Sequence, residues 1–208
     1  MFLQKHYSSN IMYFLIQYLS EIAGIVSFSA YSIYIISVFR GQTKPSRSTW
    51  WILTLVGILI FATSHSIGAQ ENMWIQLSYI IGPLAIAILS TFSKYGYKEG
   101  FLNIDKICLV SAIFCAIIWL VFDSPFLAFL GSIIVDFVGL VPTIIKTYFD
   151  PLEEDWIAWG IEFFASILNT LSITSWFILD NKSWIYALYL LMINGIIFFL
   201  IMFRRGKK

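Results

Sequence analysis

Charge is scarce in this chain. Asp, Glu, Lys and Arg make up 12% of its 208 residues, where a soluble domain carries roughly 25%. So few charges cannot coat a water-facing surface. The formal net charge of +1 leaves no basic field for a nucleic-acid backbone. Histidine is scarcer still, with only His6 and His65. Cys108 and Cys115 fall inside one apolar run, and two thiols in such a run carry no message about redox compartment. There is no His/Cys/Asp cluster at metal-ligand spacing, no Gly-Xaa-Ser-Xaa-Gly elbow and no phosphate loop. The chain is therefore expected not to be an enzyme and to need no metal or cofactor. Short alternating segments of the kind that build a β-barrel are also missing. No cleavable signal peptide is expected, because residues 1–10 are polar and the apolar stretch after them is too long for a signal core.

What is abundant is hydrophobic length. Apolar residues make up 59% of the chain, gathered into runs near the ~20 residues that span hydrocarbon as a helix. Seven spans are expected: Tyr18–Phe39, Ser48–Ile67, Met73–Phe92, Ile107–Phe122, Phe126–Tyr148, Trp156–Leu179 and Ser183–Phe203. A helix from Ile11 to Phe39 would overshoot the bilayer, so the stretch before Tyr18 reads as an interfacial lead-in. Basic residues collect on one side of these spans: Arg40, Lys44, Arg47, Lys94, Lys98, Lys106, Lys146, Arg204, Arg205, Lys207 and Lys208. Only Lys5 and Lys182 fall on the other. Positive loops stay cytoplasmic, which places the N-terminus outside and the C-terminus inside. Trp50, Trp51, Trp74, Trp156, Trp159 and Trp184 stand near span ends, where an aromatic belt belongs. The expected membrane is a bacterial inner membrane or a plasma membrane.

The chain also repeats itself. Trp159 follows Trp51 at nearly the interval by which Trp184, Ile185 and Tyr189 follow Trp74, Ile75 and Tyr79. The expected fold is an all-α integral membrane protein: two parallel three-helix repeats joined by one linker helix. Residues 1–17 are the lead-in and 18–97 the first repeat. Residues 98–125 hold the linker helix, and 126–208 hold the second repeat with its basic tail.

One segment, Gly139-Leu-Val-Pro142-Thr143-Ile-Ile-Lys146-Thr-Tyr148, carries a family likeness. With the three-one-three arrangement it resembles the SWEET, PQ-loop and PnuC-type transporter superfamily. Thr143 stands where the PQ-loop pattern has Gln, and the first repeat has Tyr34-Ile35 at the corresponding pair. The resemblance implies alternating access hinged at Pro142, with Asn194 of the seventh span facing the solute. Its counterpart in the first repeat is Leu84. The family also lines its site from the second and sixth spans, around Ser64, His65, Ser66 and Trp176.

Residue placement adds a cluster of its own. Asp136, Asn169 and Asn194 each lie about 12 residues from an outer turn, roughly 18 Å inside it at 1.5 Å per residue. A carboxylate at that depth is costly unless paired, hydrated or protonated. Asp136 is thus a candidate proton or cation switch, and the two Asn side chains are candidates to orient a solute. Each Asn alone also suits plain helix-to-helix bonding. Glu162, near the cytoplasmic end of the sixth span, reads as a gate residue or as the partner of Lys146. His65 reads as a pH-sensitive group or a hydrogen-bonded structural one. Trp176, Tyr79 and Tyr189 suit stacking on a ring or ordinary packing. The acidic loop 150–155 and the basic loop 40–47 face the same side, where they either pair across a cytoplasmic gate or stay solvated.

The expected function is transport of a small polar solute (sugar, riboside, amino acid or vitamin). Its partners are that solute and the lipid bilayer, and monomer and oligomer are both allowed. The alternative is a ligand-binding receptor or accessory protein of the same fold. A peptide-tail receptor of the KDEL type would need basic residues within its spans, and the span cores have none. A microbial rhodopsin would need a lysine in the last span, and Ser183–Phe203 lacks one.

Overall fold

The computed structural model describes residues 2–45, 47–92, 123–174 and 182–206, with scattered positions between 106 and 121. Among them the chain is all helix, with no strand. The elements are α1 (Phe2–Phe39), α2 (Arg47–Ser66), α3 (Met73–Phe92), α4 (Pro125–Phe149), α5 (Trp156–Leu171) and α6 (Ser183–Arg205). A single 3-10 turn, Pro151–Glu153, joins α4 to α5. The expected linker span, Ile107–Phe122, lies for the most part outside the described residues.

Five stretches are long and apolar enough to cross a membrane: Tyr18–Phe39, Thr49–Ser66, Met73–Phe92, Pro125–Phe149 and Ser183–Arg205. The surface fits that reading. Phe92, Ile25, Ile134, Met192 and Phe164 point outward, while Ser27, Ser78, Ser132, Ser166, Asn72 and Asn169 are fully enclosed. A water-soluble fold shows mostly polar side chains; this one exposes many large apolar ones and encloses polar ones within its core. Membrane integration is compatible with both facts.

Local chemistry sets the element ends. Gly41 and Gly68 take φ of +70 and +75 just past α1 and α2, the left-handed turn that stops a helix and that glycine adopts without strain. Pro125 opens α4 at a position whose N–H has no helical partner. Asp155 caps α5, its Oδ1 accepting from Ile157 N at 2.9 Å and Ala158 N at 3.0 Å. Asp155→Ala is expected to cost about 1 kcal/mol, read as a lower melting temperature of the detergent-purified protein.

Two ends differ from expectation. The first helix is continuous from Phe2, not from Tyr18. The sixth expected span stops at Leu171, not Leu179. Past that point Ser172 Oγ turns back to Asn169 O at 2.7 Å in a run of Thr170, Ser172, Ile173 and Thr174. Hydroxyl side chains that bond their own backbone compete with the helix, and apolar content alone does not register this.

The helices form a closed ring. α3 packs between α1 and α2, and α6 packs between α4 and α5. The ring closes through α1 against α5 and α2 against α4. Close crossings depend on missing side chains. A Cβ on Gly57 of α2 would lie 2.6 Å from the Tyr79 carbonyl oxygen of α3, and one on Gly24 of α1 would lie 2.7 Å from Trp74 Cβ.

Candidate functional site

The ring encloses a cavity. Its space is about 610 Å³, solvent at the mouth included. All six helices line it. α1 brings Tyr31 and Tyr34, α2 brings Trp50 and Gly57, and α3 brings Tyr79 and Pro83. α4 brings Asp136 and Leu140, α5 brings Trp159 and Glu162, and α6 brings Tyr186 and Asn194. Asp136 and Asn194 sit near the middle of their helices.

Two carboxylates and one amide carry the polar chemistry. Glu162 Oε1 accepts from Ser27 Oγ at 2.7 Å, and Ser27 in turn meets Ser78 Oγ at 2.6 Å. One carboxylate oxygen thereby ties α5 to α1 and α3. The other, Oε2, is buried with no hydrogen-bond partner among the described residues. Asp136 accepts a short hydrogen bond from the Tyr189 hydroxyl. Asn194 Nδ2 donates to Tyr79 Oη at 2.6 Å and to Ser166 Oγ at 2.7 Å, joining α6 to α3 and α5.

Aromatic rings supply the walls. Tyr31 meets Trp50 at 6.4 Å and 80°, and meets Tyr79 at 5.9 Å and 90°. Tyr79 meets Tyr186 at 6.5 Å and 77°. Successive near-right angles turn the ring planes like the sides of a box. Gly82 holds one side in place: Tyr31 lies over it so closely that a Cβ there would fall 2.2 Å from the ring.

Polar contacts cross between helices toward each end of the ring. At the end of the basic loops, Glu154 is buried and accepts from Lys146 Nζ at 2.9 Å and Trp159 Nε1 at 3.0 Å. Lys146 also reaches the Lys44 carbonyl oxygen at 3.4 Å, and Lys44 pairs with Glu153 at 3.6 Å. The basic and acidic loops are therefore paired, not separately solvated. At the opposite end, Asn72 Nδ2 donates to Ser183 O at 2.5 Å, and Asn169 Nδ2 donates to Asn72 Oδ1 at 2.9 Å. Gln76 Nε2 adds a bond to Ser64 Oγ at 3.1 Å.

The sequence candidates fall into distinct places. Asp136, Asn194 and Glu162 come together on the cavity wall. Asn169 does not join them. It sits in the last turn of α5 and holds Asn72, because α5 ends at Leu171 and the depth reckoned from the turn at Asn181-Lys182 does not apply. His65 is exposed in the last turn of α2, away from the cavity. Trp176 lies outside the described residues. The backbone of α4 continues as helix through Pro142. Lys146 pairs with Glu154 and Glu153 and not with Glu162. Ser27, Tyr31, Tyr186 and the Asn72–Ser183 contact were not singled out in the sequence, and Trp50 and Trp159, read there as part of an aromatic belt, line the cavity. In-span hydroxyls and amides such as Ser27 and Gln76 were the available signal, but their type alone does not separate cavity wall from helix contact.

Together the fold and site define an all-helical protein of membrane-length helices around an acid-bearing, aromatic-walled cavity. No family model, curated protein or solved structure matches the chain.

Proposed function

We propose that this protein is a membrane carrier that moves a small polar solute by alternating access. Its two halves are α1–α3 and α4–α6, parallel repeats joined by a seventh span over 107–122, as in the SWEET and PQ-loop superfamily that its sequence resembles. The observation that carries the reading is a cavity with buried polar groups in mid-helix, lined from both halves, with polar contacts between helices toward each end. Membrane carriers commonly place their site at a repeat interface near the midplane.

The packing order supports the two halves. The third helix of each lies between the other two, and the halves meet through α1–α5 and α2–α4, contacts that a two-fold exchange of the halves would interchange. The basic end is the cytoplasmic one under the positive-inside rule. Asp136 and Glu162 are the candidates for proton or cation coupling. Buried acids among membrane helices are expensive and concentrate on transport pathways.

Exchange assays in proteoliposomes test this, with labelled sugars, ribosides, amino acids, vitamins and amines. One class is expected to exchange. Asp136→Asn and Glu162→Gln should each slow exchange about ten-fold or more, the loss expected when a hydrogen bond to a charged group is removed. A solute that binds without ever exchanging would favour the receptor reading and overturn the carrier.

A further inference from the structure

We infer that the solute this cavity accepts is a small organic cation, an alkylated or ring-bearing ammonium held between the tyrosine walls and the Glu162 and Asp136 carboxylates. The inference rests on the carrier reading and deepens it.

Three features of the wall converge on that chemistry. The first is charge. Among the described residues two carboxyl side chains line the cavity and no Lys, Arg or His does. The basic residues nearest in sequence are spoken for at the end layer, where Lys146 serves Glu154 and Glu153. An anionic solute would meet two acids with no basic side chain beside them among the described residues. The second is the unused hydrogen-bonding capacity. Both N–H groups of Asn194 are committed, to Tyr79 and Ser166, and the Tyr189 hydroxyl is committed to Asp136. Glu162, 5% exposed, has one oxygen, Oε2, without a hydrogen bond of ordinary geometry among the described residues, with the Tyr79 hydroxyl close to the same carboxyl group; that oxygen is an acceptor on offer. A neutral polyol would leave both acids without a counter-charge. An ammonium brings only donors, or none when fully alkylated.

The third is the shape of the aromatic wall. Tyr31, Trp50, Tyr79 and Tyr186 all line the cavity and meet edge to face at 80°, 90° and 77°, so the wall holds several aromatic rings in differently turned planes. The negative face of an aromatic ring attracts a cation, and cages of such rings suit alkylated ammonium groups. A bare metal ion is a poorer match, since hard cations want a shell of oxygen ligands and most of this wall is carbon.

The test uses the full chain purified in detergent, followed by thermal shift and titration calorimetry. The probes are choline, tetramethylammonium and benzylamine. Against them stand 3,3-dimethylbutanol (the shape of choline without its charge), sorbitol, glutamate, and sodium or potassium chloride. At least one of the three cations is expected to raise the melting temperature and to bind, while dimethylbutanol, sorbitol and glutamate do not. Glu162→Gln should weaken that binding about ten-fold or more with the ligand-free melting temperature retained. Asp136→Asn, at the other acid of the wall, should weaken it as well. Equal stabilisation by choline and dimethylbutanol, a response to sorbitol, glutamate or the metal ions alone, or no response to any of the three cations would each overturn the inference. Proteoliposome exchange separates the two levels: a cation that binds but does not exchange removes the carrier and leaves the cation site. Exchange of a neutral solute without cation binding does the opposite.

Discussion

Gly57→Val is expected to be among the most damaging single substitutions in this protein, at about 3 kcal/mol or more. Overpacking a tight contact typically costs ~1–3 kcal/mol, and this site gives less room than most. The first atom of any side chain would stand 2.6 Å from the Tyr79 carbonyl oxygen and 3.3 Å from its carbonyl carbon. Those are backbone atoms of α3, so no rotamer change relieves the clash and the two helices must separate. Intrinsic propensity points the other way, since a side chain in a helix interior gains up to ~1 kcal/mol over glycine; here the clash outweighs it. The damage would also reach the cavity, because Gly57 lines it and Tyr79 holds Asn194. Melting of the detergent-purified protein reads the effect, with a drop on the order of 10 °C at ~2–4 °C per kcal/mol for a chain of this size. Gly206→Ala is the control. Its nearest neighbour stands 3.7 Å away, and it should move stability by no more than about 0.5 kcal/mol. If the two variants melt alike, the α2–α3 crossing is not the tight contact described.

That crossing also shows where sequence reading ends. Helix starts at Met73, Trp156 and Ser183 were legible because polarity changes abruptly there, at Asn72, Asp155 and Lys182. The acids were legible as anomalies, since Asp136 and Glu162 interrupt apolar runs. Which faces meet was not. In a soluble helix the apolar stripe marks the core, but here Ile25 faces outward and Ile75 is fully buried, and the two are the same residue. Small residues at crossings carry that information instead, and a glycine becomes informative only once its neighbour is known. Asn169 failed for a related reason. Its depth was counted through a stretch assumed helical, and α5 ends two residues after it.

Lys146→Met is the second large effect, expected at about 3 kcal/mol. Glu154 has a side chain 4% exposed and rests on two donors, the Lys146 ammonium at 2.9 Å and the Trp159 indole at 3.0 Å. Removing the cation leaves a buried carboxylate with only a neutral donor. Breaking a buried pair from one side costs ~3–5 kcal/mol, mostly the penalty of the orphaned charge. Lys146 is itself 29% exposed, which lets water recover part of the loss and sets the lower end of that range. Lys146→Met with Glu154→Gln should then recover most of the stability, because no buried charge remains. Lys44→Met should cost well under 1 kcal/mol, since that pair is 54% and 40% exposed at 3.6 Å. Melting curves of Lys146→Met, Glu154→Gln and the double variant close the cycle, and strict additivity of the two single changes would mean that the pair is not coupled. The cycle also bears on mechanism. The layer runs from the α1–α2 loop at Lys44 to the α4–α5 connection at Glu153 and Glu154, one from each half of the ring. A carrier opening at that end must break it in every turnover. The double variant, stable but unlatched, should therefore exchange solute at least as fast as the parent, whereas a purely structural layer would leave the rate unchanged or lower it.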